Sequence, residues 1–192
     1  YNNHDCIFQF VLFKNFFGKF AIIEGIHSSA KYFKNNYFSL MTSLITCLEP
    51  NNLDGWVSDD DNFERKDEFR VVVRSFSKDY SKLCVPMARM DDFTDREFHA
   101  LLILAYCDLN PSLDLPEEAF RLAIQTKIHH FDELQKYYRK ELGLKDFSHR
   151  LGTLLTFAQG VEEAGNLLYE ELAMYAAMFG TDSEDRLFSE LF

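Results

Sequence analysis

The chain has 192 residues, long enough for one domain with a sizeable core, and its apolar share of 47% with 20 phenylalanines is too high for disorder. Lys and Arg number 20 against 31 Asp and Glu, a net charge of -11, which argues against phosphate binding by this segment. Any contact with DNA therefore belongs to a separate domain.

Cys6, Cys47, Cys84 and Cys107 stand far apart, with no CxxC or Cys/His spacing. That pattern predicts no metal site and suits a reducing compartment. No apolar run reaches the roughly 18 residues that span a bilayer. Tyr1 is not an initiator Met and no signal-peptide pattern follows it, so the chain reads as an excised domain or an incomplete gene product.

Pro and Gly are scarce, at 4 and 8, and apolar residues recur mostly at helical spacing, so the expected fold class is all-α in a single domain over 1–192. A first helix is predicted from about Ile7 to Phe33. Phe8, Phe10, Val11, Leu12, Phe13, Phe16, Phe17, Phe20, Ile22 and Ile23 make it apolar nearly all round, the mark of a helix buried in a core. Gly18 and Gly25 each cost it about 1 kcal/mol relative to Ala.

Glu49 to Asn62, with Pro50, Gly55 and the run Asp59-Asp60-Asp61, is the clearest loop, with room for a short hairpin. A helix from about Arg65 to Met90 follows, with a kink expected before Pro86. Thr94-Asp95-Arg96-Glu97 is a capping box that opens a helix through Phe98, Leu101, Leu102 and Leu104, ended by Asn110-Pro111-Ser112. Pro116-Glu117-Glu118 starts the next, with Pro in the first turn and acids at the positive dipole end. It runs to about Leu142, with Gly143 as C-cap. The last long helix spans about Ser148 to Phe179, with Leu151, Leu154, Leu155, Ala158, Val161 and Ala164 at spacings of three and four. At 1.5 Å per residue it is roughly 45 Å long, more than one small core can cover, which makes it a candidate for subunit contact. A turn over Gly180 to Asp185 leads to Leu187-Phe188-Ser189-Glu190-Leu191-Phe192, in which two hydrophobic pairs fall one turn apart with Glu190 at the stripe's edge.

This terminal segment resembles the activation helix of nuclear receptor ligand-binding domains. Three further segments agree in order. Leu12-Phe13-Lys14-Asn15-Phe16-Phe17-Gly18 with Ile22-Ile23-Glu24 resembles the family's central helix. Val85-Pro86-Met87-Ala88-Arg89-Met90 with Thr94 to Leu102 resembles the entry to its eighth helix, and Arg150-Leu151-Gly152-Thr153-Leu154-Leu155 the start of its dimerisation helix. The match is closest to divergent receptors of roundworms. Phe8 stands where the family signature has Asp before Gln9. About three helices that precede this point in the family are missing, and with them the Lys that pairs with the activation-helix Glu.

The resemblance implies an antiparallel helical sandwich, N-terminally truncated, in the nucleus. It would recruit an LxxLL coactivator helix by repositioning its terminal helix, and pair with the same or another receptor. Gln9, Phe10, Phe13 and Lys14 would line the coactivator groove. Leu187, Phe188 and Leu191 would hold the activation helix, Phe192 would sit at the rim, and Glu190 would cap the bound helix. Phe17, Ala21, Ile22, Gly25 and Ser28 would line a pocket for a small lipophilic ligand, or one filled by its own phenylalanines. Ser28 stands where many members carry Arg, which argues against an acidic ligand anchored there. Leu151, Leu154, Leu155, Ala158 and Val161 would form the dimer helix. No cofactor, membrane or metal is implied, and DNA would be reached through an upstream zinc domain. The alternative is a truncated, ligand-independent helical dimerisation module. Catalysis has little support: no HExxH, GxSxG, P-loop or GxGxxG occurs, and adjacent His129 and His130 point to different helix faces.

Overall fold

A computed structural model describes residues 3–33, 40–41, 47–48, 66–88 and 93–179. The described residues are almost wholly helical. The elements in chain order are α1 (Asn3–Tyr32), β1 (Leu40–Met41), β2 (Cys47–Leu48), α2 (Lys66–Ala88), α3 (Asp95–Tyr106), α4 (Glu117–Lys140) and α5 (Ser148–Phe179). The two strands form an antiparallel hairpin that pairs Leu40 with Leu48 and Met41 with Cys47. It precedes the acidic loop in which a hairpin was expected; that loop lies outside the described residues.

The chain divides into two compact units: Tyr1–Ile23 with Asp91–Glu162, and Glu24–Met90 with Glu163–Phe192. In the first, Ile22, Ile23, Leu101, Leu104, Leu134, Tyr138, Leu154, Phe157 and Val161 are buried. They recur on one face each of α3, α4 and α5, at the three- and four-residue spacing that aligns side chains along a helix. In the second, Ile26, Ser28, Ser29, Ser77 and Tyr80 are buried. The two serines of α1 satisfy their hydroxyls one turn back, Ser28 on Glu24 Oε1 at 2.9 Å and Ser29 on the Gly25 carbonyl at 2.6 Å. Buried hydroxyls need such partners.

Several helix ends follow from local chemistry. Thr94 is extended at φ -94° and its hydroxyl accepts from the Glu97 amide at 3.3 Å, while Glu97 Oε2 accepts from the Thr94 amide at 2.9 Å. Pro116 is the N-cap of α4 rather than part of its first turn, at φ -65° and ψ 146°. Its fixed φ suits either place, but its extended ψ keeps it outside the helix. The α4 helix ends at Lys140, and Gly143 takes φ +65°, a left-handed turn that reverses the chain toward α5.

The composition of α1 misled in one respect. Its all-round apolar surface predicts burial, yet Phe10, Phe13 and Phe20 are 41%, 48% and 42% exposed, while Lys19 is 9% exposed. The Lys19 ammonium donates to the Asp108 carbonyl at 3.0 Å and lies 3.7 Å from its carboxylate, which offsets the cost of burying the charge.

Candidate functional site

The residues expected to form a coactivator groove occupy the N-terminal half of α1. Gln9, Phe10 and Phe13 are exposed and Lys14 is half-buried. The Phe13 ring lies 5.4 Å from that of Phe17, so two large apolar side chains face outward with an aromatic neighbour behind one of them. Leu187, Phe188, Glu190, Leu191 and Phe192 lie outside the described residues.

Of the expected ligand-pocket residues, Phe17 and Ala21 are half-buried and Ile22 is buried in the first unit, while Gly25 and Ser28 are buried in the second. The Ser28 hydroxyl is engaged by Glu24. None of the five lines the cleft that opens in the first unit between α1, α3 and α4. That cleft has a volume of about 390 Å³. Leu12 and Phe16 of α1, Leu102, Ile103 and Tyr106 of α3, and Ala119, Leu122 and Ala123 of α4 wall it, with Thr126 and His130 as polar groups. Leu12 and Phe16 stand roughly 140° round the helix from Phe17 and Ala21, which is why the expected pocket residues miss it.

Of the expected dimer residues, Leu154 and Val161 are 2% and 0% exposed and belong to the chain's own core. Leu151 and Ala158 are half-buried, and Leu155 is 44% exposed. Gly152, Thr156 and Gln159 of the same helix are exposed beside Leu155.

Sequence reading missed the electrostatic centre of the first unit. Glu97 is 1% exposed. Its Oε1 accepts from the Tyr138 hydroxyl at 2.9 Å and from Arg150 Nε, and its Oε2 from Arg150 Nη2 at 2.7 Å and the Thr94 hydroxyl at 2.9 Å. Burial pushes the Glu97 carboxyl up, but the hydrogen bonds from Arg150, Thr94 and Tyr138 outweigh it and hold the group below its ordinary value. Burial and the Glu97 carboxylate push the Tyr138 hydroxyl well up. The Arg150 guanidinium also lies 5.9 Å from the Tyr138 ring centroid, and the Phe147 ring lies tilted against that ring at 5.6 Å. One carboxylate thus ties α3, α4 and the start of α5. The Thr94 capping box was visible in sequence; a partner 53 residues away was not.

Among the described residues no three His, Cys, Asp or Glu side chains are placed to hold a metal, and no helix is long and apolar enough to cross a membrane. His129 and His130 meet edge to face, 5.5 Å between centroids.

Paired helices, an apolar cleft and outward-facing phenylalanines define a helical binding domain. The family model for the ligand-binding domain of nuclear hormone receptor matches residues 7–176. The chain belongs to that family. Domains of this family are ligand-regulated parts of transcription factors and not enzymes. No curated protein matches it.

Proposed function

We propose that this domain recruits an LxxLL-type coactivator helix through the N-terminal half of α1 and the terminal segment, and pairs with the same or another receptor through the outward face of α5. The observation that carries the reading is the exposure of Phe10 and Phe13 beside half-buried Lys14. A helix-in-groove contact needs an apolar floor with a charged residue at its edge, because the leucines of the incoming helix are desolvated while its ends remain polar. Glu190 supplies the anion suited to the exposed N–H groups at the N-terminus of the bound helix. The terminal helix then acts as a two-state element: packed against the body it completes the groove, displaced it does not. A small lipophilic ligand bound to the domain would bias that equilibrium. The setting is the nucleus, with DNA contacted by a separate zinc domain.

Fluorescence anisotropy of a labelled LxxLL peptide titrated with the full chain tests this. Phe13→Asp and Glu190→Lys should each weaken binding by about tenfold or more, the weight of an interface anchor. Unchanged affinity in both would remove the groove assignment.

A further inference from the structure

The three helices around the apolar cleft are fixed to one another. Asp108, just beyond α3, accepts at its carbonyl from Asn15 Nδ2 at 3.2 Å and Lys19 Nζ at 3.0 Å of α1, and its carboxylate pairs with Lys127 of α4. Glu97 of α3 accepts from the Tyr138 hydroxyl of α4 at 2.9 Å. Within the wall itself the Phe16 ring of α1 meets the Tyr106 ring of α3 edge to face at 5.2 Å. A cleft framed this way exists before anything enters it, and its volume of about 390 Å³ falls in the roughly 300–1,000 Å³ range of small-molecule sites. On the α4 side Ala119 and Ala123, one turn apart, leave space that larger side chains would fill. Tyr106 and Leu122 line the cleft and are 44% and 59% exposed, apolar surface that an occupant would take out of water.

The cleft also has a direction. Leu122, Thr126 and His130 follow at intervals of four along one face of α4, so the wall runs from apolar to hydroxyl to imidazole. The hydroxyls of Thr153 and Thr156 donate to the carbonyl one turn back, at 2.9 and 3.0 Å. Among the described residues the Thr126 hydroxyl makes no hydrogen bond. A smaller cleft of about 200 Å³ adjoins the first, sharing Ile103 and His130 and adding Arg96, His99 and Glu133. Two full charges there are already matched, Arg96 by Glu141 at 2.8 Å and Glu133 by Lys136 at 2.7 Å. What that end offers a ligand is hydrogen bonding rather than net charge.

We propose that this groove binds an elongated, uncharged amphipathic small molecule, with its apolar body between α1, α3 and α4 and a hydroxyl or carbonyl head at Thr126 and His130. The site is separate from the expected pocket, none of whose five residues lines it. It stands whether or not the domain recruits a coactivator. An anionic head is disfavoured, because Arg96 is already paired and the chain carries a net charge of -11.

Methyl NMR on the full chain, titrated with decanol and with decanoate, tests the site. Decanol should shift the methyls of Leu12, Leu102, Ile103 and Leu122 and leave those of Ile22 in place, and decanoate should bind about tenfold or more weakly. Ala123→Leu fills the cleft and should weaken decanol binding about tenfold or more without lowering the urea midpoint. Thr126→Val removes the hydroxyl at nearly constant shape and should cost about fivefold, the weight of one neutral hydrogen bond. Shifts centred on Ile22, or decanol binding untouched by Ala123→Leu, would overturn the location. Decanoate binding as tightly as decanol, or a neutral Thr126→Val, would overturn the uncharged head. The same methyls shifting with protein concentration alone would assign the groove to a second copy of the chain and overturn the proposal.

Discussion

Arg150→Met tests whether the Glu97 centre holds the first unit together. The substitution keeps much of the apolar stem and removes the guanidinium, leaving Glu97 with only Thr94 and Tyr138. Glu97 is 1% and the Arg150 side chain 16% exposed, so solvent screens the pair little. The two hydrogen bonds lost are charge-assisted, at about 1.5–3 kcal/mol each. Stranding a buried charge by removing its partner costs about 3–5 kcal/mol in all. Urea unfolding followed by circular dichroism reads the difference directly. Glu97→Leu with Arg150→Met should cost less than the sum of the singles, because no charge is left behind, although the Thr94 cap is lost at about 1 kcal/mol. Acid provides a second handle. The folded-state value of Glu97 is lowered, so its contribution is fully present above the unfolded value near pH 4.3 and is lost as pH falls through the folded one. The gap between wild type and Glu97→Gln should therefore hold steady from neutrality to about pH 5 and narrow below about pH 4. A loss under about 1 kcal/mol for Arg150→Met, the scale of an exposed ion pair, would refute the reasoning.

Neighbouring leucines of α5 should separate stability from association. Leu154→Ala should cost about 2–5 kcal/mol in urea unfolding as a core truncation, whereas Leu155→Glu should leave unfolding within about 0.5 kcal/mol and weaken self-association in sedimentation. The reverse pattern would mean the helix is rotated relative to this description. Gly143→Ala should cost about 1–2 kcal/mol from the left-handed backbone alone, because an added Cβ meets nothing within 4 Å; a neutral result would show that the turn relaxes.

The helices were largely legible because their signals are local. Leu151, Leu154, Ala158 and Val161 with Ser148 before them place α5, and Thr94 with Glu97 fixes the start of α3. The end of α3 was less so. Asn110-Pro111 marks a stop, and Asn110 Oδ1 does take the Ser112 amide at 2.9 Å, yet the helix ends earlier, at Tyr106. Beyond it Asp108 is held by Asn15, Lys19 and Lys127, of which the first two are 93 and 89 residues away. No window of neighbouring sequence contains that information. The same holds for the site: a run of phenylalanines in α1 shows apolar surface but not which rings face out, and nothing in the sequence around Lys19 sets it apart from an ordinary cation. The apolar cleft was missed because it needs faces of α1, α3 and α4 together.

The long reach of the Glu97 contacts also constrains how the chain is made. During synthesis Glu97 emerges before Tyr138, 41 residues later, and Arg150, 53 residues later. Until Arg150 has emerged, the nascent first unit has a carboxylate at its centre with no cation to meet it, and α3 and α4 have reason to stay apart. A ribosome-bound chain halted before Arg150 should stay open to proteases, and one whose emerged part extends past Val161 should close. That unit can close only once the first half of α5 has been made, whatever its individual helices have done before.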